Sequence, residues 1–469
     1  MHTKSMQISR QTWLPDIARR KGPVYLAICA EIASDLEQGR LTAGDRLPPQ
    51  RELAEALGVD AGTVTRAYAE ARRQGLIEAD GRRGSFVRSR PVEGTSGKIP
   101  PFDIGMNLPP IPADGSFSRR FAQTLQEILA GPAAANRLQY QPAGGAPQDR
   151  AAGALWLSAS GIEASEDNVI VTSGAQTALH AVASSILRSG EAVCTATFVY
   201  PGWSAICRRL GLRIVPLACD EHGIDPEALE RACQADRIRA LYLVPENDNP
   251  TTATLDPARR ERIVEIARQH DLLIIEDDPY SRLASARIPL LAALAPERTW
   301  HVASLSKLVS PALRIAYLRA PLLRDALRLA TDTFETTIMP PPLNVAICTR
   351  WLADGTLSTL VDEVRAECAV RQAIVSDILP AGTYRTARAG YHLWIPVGKE
   401  TRTVELAHAM RTLELSVVSS DQFRVDAAAA GQAIRLSIGG SIDHTRLRRG
   451  LELLDAMLHH RGGRASPMV

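Results

Sequence analysis

The chain has 469 residues, too many for one hydrophobic core, so at least two domains are expected. With 45% hydrophobic and 23% charged residues it reads as an ordinary globular protein. No apolar run approaches the roughly 18 residues of a membrane span, and the start lacks a secretory-type apolar core. The net charge of +2 hides an asymmetry: residues 1–92 hold 15 Lys/Arg against 11 Asp/Glu, leaving about −2 for the remainder. A basic head on a neutral body permits nucleic-acid binding. Seven cysteines (Cys29, Cys194, Cys207, Cys219, Cys233, Cys348, Cys368) are dispersed without a CxxC pair. That pattern argues against a disulfide framework or a metal site and for a reducing cytoplasm.

Residues 13–88 read as short helices followed by a small hairpin. Gln50 to Leu57 is a helix closed by Gly58, which suits a left-handed cap. Asp60 can cap the next helix, which begins near Thr63-Val64-Thr65-Arg66. Val64, Ala67 and Ala71 share its inner face, while Thr63, Thr65 and Arg66 project from its first turns. Helix, short Gly-containing turn, helix is a helix-turn-helix layout, whose second helix offers its first residues to base edges. Gly81 to Arg88 reads as a basic hairpin, or wing. Residues 89–103, rich in Pro, Gly and Ser, read as a linker.

From 104 to 460 short apolar strands alternate with amphipathic helices. Val169–Thr172, Ala240–Val244, Leu272–Glu276 and Thr299–Ala303 are the clearest strands. The pattern predicts an α/β fold with a mostly parallel sheet covered on both faces, whose ligands collect at the carboxyl ends of the strands.

The run Ser304-Leu305-Ser306-Lys307 with Arg314 behind it carries the chemistry. A lysine among hydroxyls, with an arginine fork nearby, suits a cofactor that offers an aldehyde and a phosphate. Pyridoxal 5'-phosphate (PLP) fits. Its ring nitrogen needs a carboxylate, and Asp277 follows an apolar strand. Its phenolic oxygen needs a donor such as Asn249. Its phosphate needs N–H groups at a helix start, which Gly174-Ala175-Gln176 supplies. Tyr200 is placed to stack on the ring.

Gly39 to Ala54 resembles the signature of the GntR-type winged helix-turn-helix, and the likeness runs from about Pro23 to Val87. It implies that Arg51, Thr63, Thr65 and Arg66 contact DNA and that Gly84 lets the wing approach the backbone. Ala61 and Gly62 depart from the polar residues usual after Asp60. From about Ile104 to His459 the chain resembles the fold type I aminotransferases, especially the kynurenine/aminoadipate group. Tyr140, Gly174 to Gln176, Tyr200, Asn249-Pro250-Thr251, Asp277 with Tyr280, Ser304, Lys307, Arg314 and Arg435 match in one order. The resemblance implies that Lys307 forms the internal aldimine and Asp277 pairs with the ring nitrogen. It gives Asn249 and Tyr280 the phenolic oxygen. It gives Ala175, Gln176, Ser304 and Arg314 the phosphate, with Tyr140 of the partner subunit, and gives Arg435 the substrate carboxylate. Thr252, where Gly is usual, and Thr197-Phe198-Val199, where Asp-Pro-x is usual, are departures.

Head, linker and body together resemble the MocR subfamily of bacterial transcription regulators. That resemblance implies a homodimer that binds DNA and uses PLP as a sensor. An amino acid or amine effector would form an external aldimine at Lys307. Two other functions stay open: an active aminotransferase with a DNA-binding head, and a sensor of PLP itself.

Overall fold

A computed structural model of the chain describes residues 13–17, 23–37, 40–41, 44–73, 76–79, 84–87, 105–112, 115–284, 287–398, 401–411, 413, 415–426 and 431–459. The chain divides into two compact units, 1–102 and 103–469. The expected linker, 89–103, lies outside the described residues, as do Gly81 to Arg83 and Arg88 of the wing.

The first unit contains α1 (Val24–Glu37), α2 (Gln50–Leu57), α3 (Ala61–Arg73) and an antiparallel pair, β1 (Ile77–Ala79) and β2 (Ser85–Val87). Gly58 ends α2 at φ 64°, a left-handed position that a side chain would strain. Two residues on, the Asp60 carboxylate accepts the Gly62 N–H at 2.7 Å and starts α3. These two caps make the sharp turn between the helices. Ile28 and Ile32 of α1, Leu53 of α2 and Val64, Ala67, Tyr68 and Ala71 of α3 close the core against Ile77 and Val87. Tyr68 is buried because its hydroxyl reaches the Pro48 carbonyl at 2.8 Å.

The second unit is built on a seven-stranded sheet. Its strands are β3 (Val169–Thr172), β4 (Ala192–Ala196), β5 (Arg213–Leu217), β8 (Ile238–Leu243), β9 (Leu273–Asp278), β10 (Thr299–Ser304) and β11 (Ala316–Arg319). A two-stranded hairpin, β6 (Cys219–Asp220) with β7 (Gly223–Ile224), stands apart. The sheet order is β3-β11-β10-β9-β8-β4-β5. Only β11 runs against its neighbours. Alternate residues of β8 feed two cores, Ala240 and Tyr242 on one face and Leu241 and Leu243 on the other, so the sheet is covered on both sides. A second, antiparallel sheet follows, in the order β12 (Arg385–Thr386), β13 (His392–Val397), β15 (Gln432–Ser437), β14 (Ser416–Ser419).

Three strands differ by one or two residues from their expected limits: β8 starts at Ile238 and ends at Leu243, β10 runs on to Ser304, and β9 spans Leu273–Asp278. β9 carries Glu276, Asp277 and Asp278 inside the strand, where an ending at Glu276 was expected. Glu276 can stay there because its carboxylate accepts the N–H groups of Leu291 (2.7 Å) and Ala292 (3.0 Å) and contacts His301 Nδ1 at 2.8 Å.

The helix Pro147–Ser158 packs so closely on β11 that a Cβ at Gly153 would lie 2.2 Å from Tyr317 Cδ1, in a ring with no exposure. Gly153→Ala should therefore destabilise the large unit by about 1–3 kcal/mol. Urea unfolding of the full chain checks this, and an unchanged midpoint would show that the helix can shift freely.

Candidate functional site

The central strands β8, β9 and β10 run parallel, and their carboxyl ends bring the expected residues together. Asn249 follows β8, Asp277 lies near the end of β9, Ser304 ends β10, and Lys307 comes three residues later. With Ala175, Gln176, Tyr200, Tyr280 and Arg314 they line a cavity of about 100 Å³, to which Met106 and Leu108 contribute an apolar rim. Gly174 caps the helix Ala175–Ile186 at φ 84°, and a Cβ there would sit 3.4 Å from the Arg314 Cζ atom. The positive φ is what calls for glycine, since a 3.4 Å approach is ordinary contact. Tyr140 does not line this cavity; it is 77% exposed on its own chain.

Lys307 is the cationic centre. Its Nζ donates to the Asn107 carbonyl. Burial, aided by Arg435 and Arg314 and opposed by Asp277, lowers the ammonium to about 8. Asp277 is its counterpart. Burial lifts its carboxyl to about 7, against the bond that the Tyr242 hydroxyl donates to Oδ2 at 2.9 Å. Tyr242 is in turn stacked on Trp203, centroids 4.3 Å apart at 7°. The other carboxylate oxygen, Oδ1, is buried with no hydrogen-bond partner among the described residues. A buried acceptor left so costs on the order of 1–3 kcal/mol. The site is thus shaped for a donor that none of the described residues supplies, and a protonated ring nitrogen is such a donor.

Arg435, in β15, is 1% exposed. One of its nitrogens donates to Asn249 Oδ1 at 3.2 Å and another to the Gly105 carbonyl. The Phe423 ring lies 5.4 Å from its guanidinium. Ser304 Oγ accepts the Ser306 N–H at 3.2 Å. Gln176 donates to the Gly202 carbonyl at 3.0 Å, and its own oxygen is buried without a partner among the described residues.

Sequence reasoning missed four residues that complete the site: Asn107, Tyr242, Tyr391 and His392. Asn107 donates to the Tyr280 oxygen at 3.1 Å, contacts His392 Nδ1 at 3.1 Å and accepts from the Ser437 hydroxyl at 2.8 Å. Tyr391 donates to the Lys307 carbonyl at 2.8 Å. Tyr242 hides inside an apolar strand. Only a polar tip in a buried strand, or the pair Tyr391-His392 in another, could have flagged any of them.

In the first unit Arg51, Thr65 and Arg66 are exposed and Thr63 is half-buried. The Thr65 hydroxyl lies 2.9 Å from both Gln50 Oε1 and the Ala61 carbonyl, tying α3 to α2. The Arg66 guanidinium lies 5.4 Å over the Tyr25 ring. Gly84 takes φ 117°, with Arg46 Nε 3.2 Å from where a Cβ would stand.

Fold and site together define an aminotransferase-type body joined to a helix-turn-helix head. Residues 24–87 match the gntR family of bacterial regulatory proteins, and residues 112–454 match aminotransferase class I and II. The chain belongs to that aminotransferase family and carries a gntR-type head, a combination consistent with the MocR subfamily. It is 26% identical over 465 residues to the uncharacterized HTH-type transcriptional regulator YdeF of Bacillus subtilis (strain 168), covering 98% of this chain and 99% of that one. It is 28% identical over 409 residues to PtsJ of Salmonella typhimurium (strain LT2), a vitamin B6 salvage pathway transcriptional repressor, covering 85% and 91%. Among solved structures it resembles LysN, the α-aminoadipate aminotransferase of Thermus thermophilus complexed with N-(5'-phosphopyridoxyl)-L-leucine. The TM-score is 0.67 at 26% identity, covering 76% of this chain and 91% of that one. Family and fold imply PLP as the cofactor, and the open Asp277 oxygen beside Lys307 fits it. No helix among the described residues is long and apolar enough to cross a membrane.

Because only a neutral amine attacks an aldehyde, the lowered Lys307 sets a pH test. Mixing cofactor-free protein with PLP should give a visible band whose rate of appearance rises with pH to about 8 and then levels. A rate still climbing toward pH 10 would show that the pocket does not destabilise the ammonium.

Proposed function

We propose that the chain binds DNA through its first unit and adjusts that binding to an amino compound held at Lys307 and Arg435. One observation carries this reading. Lys307 and Arg435, the groups that an amino acid would engage through its amine and carboxylate, are both held by carbonyls of one segment, those of Asn107 and Gly105. That segment is where the large unit begins, on the chain that arrives from the DNA-binding unit. A carboxylate binds Arg435 better than a carbonyl does, through a bidentate, charge-assisted pair. Ligand and segment therefore compete, and competition is the differential affinity that coupling needs.

PLP, when bound, supplies an aldehyde that a primary amine can take over from the lysine. The chain's residues would hold it as follows. Asp277 receives the ring N–H on its open oxygen. Asn249 and Tyr280 donate to the phenolic oxygen, and Tyr200 covers the ring. Ala175, Gln176, Ser304 and Arg314 surround the phosphate, joined by Tyr140 of the partner subunit in a homodimer. The exposure of Tyr140 on its own chain supports a role across that interface. On DNA, Arg51 meets a phosphate, while Thr63, Thr65 and Arg66 lie at the start of the recognition helix and Gly84 in the wing. The protein acts in the cytoplasm.

Fluorescence anisotropy with DNA from upstream of its own and neighbouring genes tests the head. Arg51→Ala should weaken binding across sequences and reduce the salt slope by about one. Unchanged affinity and slope would remove Arg51 from the interface. The same assay tests the sensor. An amino acid should shift the visible spectrum and change DNA affinity, and Arg435→Ala should abolish the response to carboxylated amines while the PLP band persists. Rapid turnover with a keto acid, and no ligand effect on DNA binding, would overturn the sensor reading in favour of an enzyme.

A further inference from the structure

We propose that Asn107 is a positioning residue of the cofactor site: it forces the Tyr280 hydroxyl to act as a hydrogen-bond donor toward the phenolic oxygen of PLP. The inference rests on the proposed placement of PLP at Lys307.

Asn107 lies in the segment 105–112, which has no regular secondary structure. The segment is fixed by bonds of Ile111 N–H to the Gly440 carbonyl and Gly440 N–H to the Pro109 carbonyl, both 3.1 Å. The side chain is 2% exposed. Its orientation follows from a chain of single-valued partners. The Asp248 carbonyl can only accept, and it lies 3.0 Å from His392 Nε2, so Nε2 carries a hydrogen. Burial, with Arg435 and Lys307 nearby, holds the His392 imidazolium down to about 3, so the ring is neutral and Nδ1 has none. Nδ1 must therefore receive a hydrogen, and the group 3.1 Å away must be the Asn107 amide nitrogen. The Ser437 hydroxyl satisfies the amide oxygen.

The same nitrogen is 3.1 Å from the Tyr280 oxygen. An amide nitrogen can only donate, so Tyr280 must accept from it, and the phenol hydrogen is directed elsewhere. In the protein alone the Tyr391 oxygen, which interacts with Tyr280 and whose own hydrogen goes to the Lys307 carbonyl, can accept it. A cofactor phenolate, being charged, is the stronger acceptor. A donor there stabilises the anionic oxygen and lowers the pH at which the lysine–cofactor link sheds its proton. The titratable and charged groups that share this environment include Asp248, Asp277, Tyr200, Tyr280, Tyr391, His392, Lys307, Arg314 and Arg435.

Asn107→Asp tests the proposal in the full PLP-loaded chain. A carboxylate would take the Tyr280 hydrogen for itself. The pH midpoint of the visible band should rise by about one unit, and PLP should dissociate more readily. Asn107→Ala, which removes the donor without adding charge, should raise the midpoint less, and it carries the test if the Asp variant does not fold. In a Tyr280→Phe background Asn107→Ala should add nothing to the shift that Tyr280→Phe causes alone, and Asn107→Asp should add only what its charge contributes. A folded Asn107 variant with the wild-type midpoint, or an equal shift from Asn107→Ala in the Tyr280→Phe background, overturns the proposal. A wild-type chain that never colours with PLP overturns the reading beneath it instead, so the two failures are distinct.

Discussion

A half-satisfied carboxylate organises the large unit. Asp277 is buried near the end of a central strand, bonded by Tyr242 on one oxygen and open on the other. Such a group is tolerable only if its surroundings keep it fixed and something completes it. The stacked Trp203–Tyr242 pair, the parallel strands on either side and the facing Lys307 do the fixing. Asp277 and Lys307 shift in opposite directions, to about 7 and about 8, each from burial first. Two groups brought so near neutrality are poised to exchange protons with a bound ligand.

The residues that line the cavity were legible in the sequence to the extent that their signal is local. Ser304, Lys307 and Arg314 lie within one loop, and Gly174 to Gln176 mark a strand-to-helix turn. The acids of β9 were legible too, but not that the strand would continue through them. Asp277 and Asp278 can continue it because the Tyr242 hydroxyl donates to the first and the Ser281 N–H and hydroxyl donate to the second. Asn107 was not legible at all. Its partners Tyr280 and His392 are 173 and 285 positions away, and an asparagine beside a linker has no periodicity to betray it.

In the first unit the turn chemistry was readable because Gly58 and Asp60 act within a few residues of themselves. The part played by Thr65 was only half readable. A threonine on the first turns of a recognition helix suggests a base contact, yet its hydroxyl is already bound to Gln50 and Ala61. The hydroxyl instead keeps α2 and α3 in register.

The segment 105–112 is where site and chain connectivity meet. It supplies a carbonyl to each of the two cations, an amide to three polar partners, and Met106 and Leu108 to the rim of the cavity. Hydrogen bonds to charged groups contribute about 1.5–3 kcal/mol each, and allosteric couplings are typically about 1–3 kcal/mol. Replacing even one carbonyl contact by a ligand therefore lies in the energy range of a tenfold change in affinity elsewhere. The Asn107 amide, bound to side chains of β13, β15 and the loop after β9, would hold the segment in place while its carbonyls are exchanged. A simple amine, which takes the aldehyde over and leaves Lys307 free, would then leave the Gly105 bond intact. An amino acid would also bring a carboxylate to Arg435 and displace the Gly105 carbonyl, so the response should require a carboxylate.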